Sequence, residues 1–302
     1  MNLRNVFILT VACTAGTAVA ADGNFDKAFS VTGAPIVSVS TGSGYVHVYP
    51  GAGNQVHIVG HVHSRPGIFG GNADEAVQKI VANPPIVQSG NTITASTPHD
   101  DSELFRNISI DYDVTTPAET TLKAGSGSGD IEIGGIQSAV TAHTGSGNIH
   151  VDNVGANAQL DTGSGSIRAT NVHGGGVLQT GSGRIELSAS GPGDVRAKTG
   201  SGSIHIEGVN GGVRADTGSG SIEIAGDPTS EWRASSGSGT IELNPVPNAR
   251  FNFDAQSGSG GIHVDRPIVM QGNLNRHHVT GTVNGGGPTL RASTGSGSIN
   301  VH

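Results

Sequence analysis

The chain has 302 residues, 49 of them glycine, few aromatic side chains and a formal net charge of −8 at pH 7. An acidic chain without basic clusters is a poor candidate for nucleic-acid binding. Such a glycine content can indicate disorder, so the spacing of the apolar residues has to decide whether the chain folds.

The first twenty residues have the features of a secretory signal peptide. Arg4 precedes a short apolar stretch at 6–12, and residues 18–20, Ala-Val-Ala, form a small-x-small cleavage pattern. We therefore predict that residues 1–20 are removed and that the protein is exported to the periplasm, the outer membrane or the cell surface. The single cysteine, Cys13, leaves lipoprotein anchoring open as an alternative. No later segment is apolar enough to predict a transmembrane helix.

Residues 21–123 predict a β-rich N-terminal region with one helix at about 73–82. Asn72 is placed to cap this helix, acidic residues occupy its first turn, and Pro84 ends it. We expect this region to cap the first coil of the repeat domain that follows. The alternation of apolar and polar residues predicts strands at 36–39, 45–49, 56–62, 92–95 and 108–114.

From residue 124 to 302 the chain repeats the unit Thr-Gly-Ser-Gly-x-Ile. The unit begins at Thr144, Thr162, Thr180, Thr199, Thr217 and Thr294, with relaxed copies elsewhere. Its closing isoleucine recurs every 18 to 21 residues from Ile131 to Ile262. The remaining 37 residues to Ile299 predict two further steps, with a degenerate turn near 279–283. Ile-x-Ile after each corner has the two-residue period of a strand with one buried face.

A unit of eighteen residues cannot form a core by itself, but stacked units can bury their inward faces on one another. The sequence therefore predicts an all-β fold, a parallel β-solenoid of about ten coils of 18–19 residues, preceded by the β-rich region and its short helix. Glycine lets the corners approach closely, and the corner hydroxyls are expected to satisfy one another. The last coil would end at His302 with an uncovered edge, which predicts self-association there.

These features resemble the bacterial putative-adhesin family, an exported domain of unknown function with the same repeats. The resemblance rests on Ile110-Asp111-Tyr112-Asp113-Val114, which leads through Pro117 to Gly127-Ser128-Gly129-Asp130-Ile131-Glu132-Ile133, and on the closing segments at 281–287 and 294–299. It covers nearly all of the chain after the signal. It implies an envelope-associated β-solenoid and no catalytic or binding residue.

One column of arginines is a candidate ligand surface. Arg196, Arg214, Arg233 and, after a gap, Arg291 fall at the same position of successive repeats. Spaced one coil apart, they could meet a repeating anionic polymer such as an acidic polysaccharide. The alternative is ordinary solvation of an otherwise acidic protein.

Two further polar sets have both a functional and a structural interpretation. The first is a column between the isoleucines, which is either a pH-sensitive or ligand-binding stripe or a solvated charge ladder: Glu132, His150, Arg168, Glu186, His205, Glu223, Glu242 and His263. The second is the outward set His47, His57, His61 and His63, since His-x-His on a strand can hold zinc or copper. No carboxylate or cysteine completes that set at a suitable spacing. We therefore assign no metal ligand from the sequence. Whether these four histidines bind a metal stays an open question at this point.

The nearly uniform coils favour a structural or adhesive role. They lack loops that could build a water-excluding cleft, and no nucleophile elbow occurs. We therefore expect no enzyme activity, catalytic residue or cofactor. The first hypothesis is a cell-envelope structural or adhesive protein whose rigid repetitive surface meets an anionic polysaccharide or another envelope protein. A second is a periplasmic binding or sensor module with its site in the N-terminal region and the solenoid as spacer. A third is ice binding, which requires outward threonine rows.

Overall fold

The computed structural model describes residues 22–64, 73–97, 102–105, 107–270 and 277–302. The predicted signal peptide with Cys13 and the predicted helix cap Asn72 lie outside these ranges. No helix within them is long and apolar enough to cross a membrane.

In the described ranges, two short helices accompany a long series of strands. The helices are α1 (Ala73–Ala82) and α2 (Ser102–Phe105). The strands up to residue 134 are β1 (Asp22–Ser30), β2 (Ile36–Thr41), β3 (Val46–Pro50), β4 (Gln55–Ser64), β5 (Ile86–Ser89), β6 (Thr92–Ser96), β7 (Ile108–Thr116), β8 (Thr121–Ser126) and β9 (Ile131–Gly134). Then follow β10 (Val140–Thr144), β11 (Ile149–Val154), β12 (Ala158–Thr162), β13 (Ile167–Val172), β14 (Gly176–Thr180), β15 (Ile185–Ala189), β16 (Val195–Thr199), β17 (Ile204–Asn210) and β18 (Val213–Thr217). The last strands are β19 (Ile222–Asp227), β20 (Trp232–Ser236), β21 (Ile241–Pro245), β22 (Phe251–Ser257), β23 (Ile262–Val264), β24 (Val269–Met270), β25 (His278–Val283), β26 (Thr289–Thr294) and β27 (Ile299–Val301).

The strands form two long sheets. Sheet A has the order β1-β4-β7-β3-β9-β11-β13-β15-β17-β19-β21-β27-β23. Sheet B has the order β24-β25-β22-β26-β20-β18-β16-β14-β12-β10-β8-β2-β6-β5. Every neighbouring pair is parallel from β7 to β23 in sheet A and from β6 to β22 in sheet B. Each coil gives one strand to each sheet, so the predicted parallel β-solenoid and its short helix α1 are confirmed.

A continuous hydrophobic core lies between the two sheets. Strand residues alternate between inward and outward positions, and the inward residues Ile149 and Leu160 are each 1% exposed. Residues one repeat apart are direct neighbours, as in the pair Ile149 and Ile167. Burying such a side chain contributes about 1.5–3 kcal/mol relative to an exposed one. The periodic core is therefore what makes a chain with 13% charged and 4% aromatic residues fold.

The corner threonines bind backbone rather than one another. Thr162 Oγ1 donates to the carbonyl of Gly147 in the preceding coil at 2.8 Å and accepts from the amide of Gly165 at 3.2 Å. The same pair of bonds recurs at Thr144, Thr180 and Thr199. The expectation that these hydroxyls satisfy one another is wrong, because the stacked corner places a carbonyl nearer. These threonines are buried, so they form no outward row of the kind ice binding requires.

The corner glycines are required by the stacking itself. A Cβ built on Gly165 would lie 1.8 Å from the carbonyl oxygen of Gly147. The equivalent corners at Gly147, Gly183 and Gly202 show the same conflict with the coil before them. Glycine is present here because the neighbouring backbone occupies the place of a side chain.

The N-terminal region continues the rod. β2 lies between β6 and β8 in sheet B, and β3 lies between β7 and β9 in sheet A. The first coil in sequence is therefore the second in space. The predicted division between residues 123 and 124 falls inside β8 and stays a prediction. β4 and β1 then extend sheet A in antiparallel fashion, and α1 packs on them. The sequence did not predict β1, because only Phe25 of its residues is buried and no alternation results.

The C-terminal end is also interleaved. β26 lies between β20 and β22, and β27 lies between β21 and β23. The predicted degenerate turn near 279–283 is wrong, since β25 pairs antiparallel with β22. The expectation that the last strand forms the open edge is also wrong. β27 is paired on both sides, and β23 is the edge strand of sheet A. β24 and β25 pair antiparallel before the chain adds its last coil, so self-association at this end would use β23 of sheet A or β24 of sheet B.

We predict that Gly165→Ala is strongly destabilising, because the added methyl group overlaps the backbone of the preceding coil. We expect the free energy of unfolding to fall by about 3 kcal/mol or more. Gly42→Ala is the matched control, since a Cβ there meets nothing within 4 Å, and we expect a change within about 0.5 kcal/mol. Urea unfolding followed by circular dichroism measures both. Equal effects of the two substitutions would contradict the corner geometry.

The interleaved order also predicts which cysteine pairs can be crosslinked. Ser235 is the register partner of Ser293, and Ser293 is that of Gln256. In a Cys13→Ser background, we expect Ser235→Cys with Ser293→Cys to form a disulfide under mild oxidation. Ser235→Cys with Gln256→Cys should not, since the two positions are two strand spacings apart, about 10 Å. Mass spectrometry distinguishes the outcomes, and the reverse pattern would show that the coils stack in sequence order.

Candidate functional site

The arginine ladder, Arg196, Arg214, Arg233 and Arg291, is an uninterrupted row on the outer face of sheet B. The four residues are register partners in β16, β18, β20 and β26. The gap expected from the sequence before Arg291 is absent, because the last coil inserts beside β20. At about 4.8 Å per strand, the row spans about 14 Å. It ends at Val177 on one side and at Asp254 on the other.

All four arginine side chains are exposed, but only two of them have a carboxylate partner. Arg214 Nε lies 2.9 Å from Asp216, and Arg291 Nε lies 3.5 Å from Glu231. Across the residues that the structure describes, Arg196 and Arg233 have no carboxylate within the 4.0 Å of an ion pair. Like charges on neighbouring strands destabilise a sheet. The ladder therefore retains positive charge without a carboxylate partner, and the repulsion between its arginines lowers the stability of the sheet.

A shallow furrow of about 480 Å³ runs beside the ladder. Arg196, Arg214 and Arg233 form one wall, and Asp194 and Glu231 belong to its lining. Asp194 Oδ1 accepts the amide of Gly212 at 2.7 Å, which holds that carboxylate against the backbone. The furrow can thus present guanidinium groups, the bidentate donors suited to carboxylates and phosphates, along the rod axis.

The charge column on sheet A differs from the arginine ladder because it pairs its own charges. Arg168 and Glu186 are 2.6 Å apart, and His205 and Glu223 are 2.9 Å apart. Glu242 and His263 are not neighbours as the sequence suggested, since Asn300 lies between them. The observed order is Asp113, His47, Glu132, His150, Arg168, Glu186, His205, Glu223, Glu242, Asn300 and His263.

The four N-terminal histidines lie on the outer face of sheet A, and each pairs with a carboxylate. The pairs are His47–Asp113 at 3.2 Å, His61–Asp113 at 3.0 Å, His63–Asp22 at 2.9 Å and His57–Asp26 at 2.5 Å. The sequence missed these partners because they come from β1 and β7 across the sheet. In the ranges that the structure describes, no three His, Cys, Asp or Glu side chains are arranged to hold a metal ion.

Tyrosines border this histidine face. Tyr45 stacks on His47 with ring centroids 4.1 Å apart and hydrogen-bonds Asp113 at 3.3 Å. Desolvation, with the charges of Asp113 and Asp111, raises the pKa of Tyr45 to about 12. Desolvation and a hydrogen bond with Glu132 raise the pKa of Tyr49 to about 12. Burial first, and the carboxylates of this face second, therefore favour the neutral form of both phenols.

The sequence contained one unused signal for the true position of Arg291. Trp232-Arg233-Ala234 and Leu290-Arg291-Ala292 share a large apolar residue, an arginine and an alanine, and they pair residue for residue. The repeat spacing hid this match because the two segments are 58 residues apart. The furrow had no comparable signal, since its lining combines residues at the beginnings of neighbouring strands of sheet B with the turns before them.

Comparison with known proteins identifies a family match over most of the chain. The sequence model of the family described as Toastrack DUF4097 matches residues 36–302. Comparison with curated proteins found no match. A solved structure of a putative adhesin from Bacteroides fragilis NCTC 9343 has a TM-score of 0.41 and 12% identity, covering 93% of this chain and 97% of that chain. A putative cell adhesion protein from Clostridium sporogenes ATCC 15579 has a TM-score of 0.24 and 11% identity, covering 93% and 98%. At these scores neither structure supports an inference about function.

The raised tyrosine pKa values predict a loss of stability at alkaline pH. An unfolded tyrosine ionises near pH 10, whereas Tyr45 and Tyr49 ionise near 12 in the fold. Between these values the unfolded state binds fewer protons, so stability falls as pH rises from about 10 to 12. Absorbance at 295 nm should show tyrosinate only near pH 12 in the native protein and near pH 10 in denaturant. Native ionisation near pH 10 would contradict the geometry of this face.

Proposed function

The chain belongs to the Toastrack DUF4097 family, and from this premise we propose that it is a non-catalytic protein of the bacterial cell envelope with a structural or adhesive role. Its rod would hold a linear polyanion along the arginine ladder. The observation that carries this proposal is the run of four exposed arginines on consecutive strands, two of which have no carboxylate partner in the described residues.

The strands hold the arginines of this row at a fixed spacing. Each arginine lies between inward residues that are buried, such as Val213 and Ala215 on either side of Arg214. Main-chain hydrogen bonds to both neighbouring strands fix the spacing. A repeating ligand could therefore meet all rungs without ordering the surface first. Several weak contacts would then act together, as expected for multivalent binding.

The shape of the furrow supports binding rather than catalysis. Its arginine wall is exposed. A reaction that needs a dry, preorganised environment would lack one here. A long polymer, by contrast, can lie in an open furrow and enter it from the side.

Export is part of the proposal. The prediction of export rests on the signal-like pattern of residues 1–20. The proposed destinations are the periplasm, the outer membrane and the cell surface. Lipid attachment at Cys13 is the alternative route of anchoring. An envelope location would bring the rod into contact with the anionic polymers of the cell boundary.

The sensor alternative separates an N-terminal site from a solenoid spacer. The fold does not favour this division, because β2 and β3 are coil strands that pair with β8 and β9 of the repeat domain. The arginine ladder lies far along the same rod, in β16 to β26.

We predict that Arg196→Gln with Arg233→Gln weakens binding to polygalacturonate and to polyphosphate at low ionic strength by about five- to tenfold, as expected for the loss of two exposed ion pairs. Added salt should weaken binding by the wild-type protein, because it screens exposed charges. Isothermal titration calorimetry measures both effects.

Arg168→Gln with Arg184→Gln is the matched control. These arginines belong to the other side of the rod, where both pair with Glu186, and their loss changes net charge by the same amount. We expect binding to be nearly unchanged. An equal loss in the control, or no binding of either polymer by the wild-type protein, would refute the proposed site.

A further inference from the structure

The furrow continues beyond the arginine ladder, and we propose that its full length binds an acidic polysaccharide, with neutral sugar hydroxyls held by the part that precedes Arg196. This inference rests on the proposed function and adds the class of ligand. A second depression of about 350 Å³ adjoins the first and shares Gly176, Val177 and Asp194 with it. Together the two depressions form one continuous furrow.

The two halves of the furrow differ in chemistry. The cationic half lies beside Arg196, Arg214 and Arg233. The other half carries no charged side chain apart from the shared Asp194, and we call it the neutral half; its polar lining is Thr141, Asn157 and Gln159. Thr141, Gln159, Val177 and Arg196 are successive register partners in β10, β12, β14 and β16, so the neutral side chains and the arginines belong to one straight column.

The neutral half offers unused hydrogen-bonding capacity. In the ranges that the structure describes, the side chains of Thr141, Asn157 and Gln159 have no hydrogen-bond partner. Amides and hydroxyls both donate and accept, which is what sugar hydroxyls require. Val177 and Gly176, between the two halves, offer a non-hydrogen-bonding surface to the carbon-bound hydrogens of a sugar ring.

Length and hydrogen-bonding pattern favour an acidic polysaccharide over a polyanion without hydroxyl groups. The furrow crosses β10, β12, β14, β16, β18 and β20, which is about 24 Å at one strand spacing of about 4.8 Å per step. Each sugar residue of an extended polysaccharide advances by a distance similar to one strand spacing. A chain that carries both carboxylates and free hydroxyls satisfies both halves. Polyphosphate suits the neutral half less well, because it brings no hydroxyl donor for the amide and hydroxyl oxygens there.

The test is Gln159→Val, with Gln179→Val as its control. Both glutamines point outward from adjacent strands of sheet B, but Gln159 lines the furrow and Gln179 does not. Valine already occupies the same column at position 177, so the sheet accepts it. We expect Gln159→Val to weaken binding of polygalacturonate about three- to tenfold, the effect of one lost hydrogen bond. Binding of polyphosphate should be unchanged, and Gln179→Val should alter neither.

The outcomes separate this inference from the proposed function. If Gln159→Val leaves polygalacturonate binding unchanged while Arg196→Gln with Arg233→Gln weakens it, the neutral half is unused and only this inference is overturned. Equal losses for Gln159→Val and Gln179→Val, or an equal loss of polyphosphate binding, also overturn it. If the wild-type protein binds neither polymer, the proposed function fails with it.

Discussion

The close stacking of glycine corners is the constraint on which the rest of the structure depends. At each corner the carbonyl of the preceding coil lies where a side chain would start, and the threonine of the same corner donates a hydrogen bond to that coil. Thr162, Gly147 and Gly165 show the arrangement. The hydroxyl is buried and fully used, so its partners would be left unsatisfied in any other register. Corner chemistry thereby sets which residues become neighbours along the rod.

Fixed register turns the outer surface into straight columns, and each column has its own chemistry. On sheet A, acidic and basic side chains alternate often enough to pair, as Arg168 does with Glu186. On sheet B, Arg196, Arg214 and Arg233 have no opposite charge beside them in the column, and Arg291 at its end meets Asp254. The acidic and basic side chains of the first column can pair with one another within one molecule. In the second column Arg196 and Arg233 have no carboxylate partner among the described residues, so their charge is left for a ligand or salt to neutralise. This difference makes the second column the better candidate for function.

The fold was largely predictable from the sequence because a solenoid is a local repeat. Ile131 and Ile149 are eighteen residues apart, one repeat, and this spacing predicts that they pair in the sheet. The partners of the histidines were not predictable, since His63 meets Asp22 across an antiparallel pair that no repeat encodes. The furrow was equally hidden, because its lining combines strand residues with residues of the turns that precede them. Spacing predicts contacts only where the chain continues in one direction.

At the two ends of the rod the coils do not stack in sequence order, so the repeat spacing does not predict their neighbours there. At both ends the terminal coil in sequence lies one position inside the rod, so that neighbouring coils hold it on both sides. Arg266 strengthens the C-terminal arrangement by donating to the carbonyls of Val246, Pro247 and His302, which ties the last residue to the turn after β21. Fraying of a coil held on both sides would break main-chain hydrogen bonds to two neighbouring coils rather than to one. The same insertion places Arg291 directly beside Arg233, so the device that secures the end of the rod also extends the arginine ladder from three consecutive rungs to four.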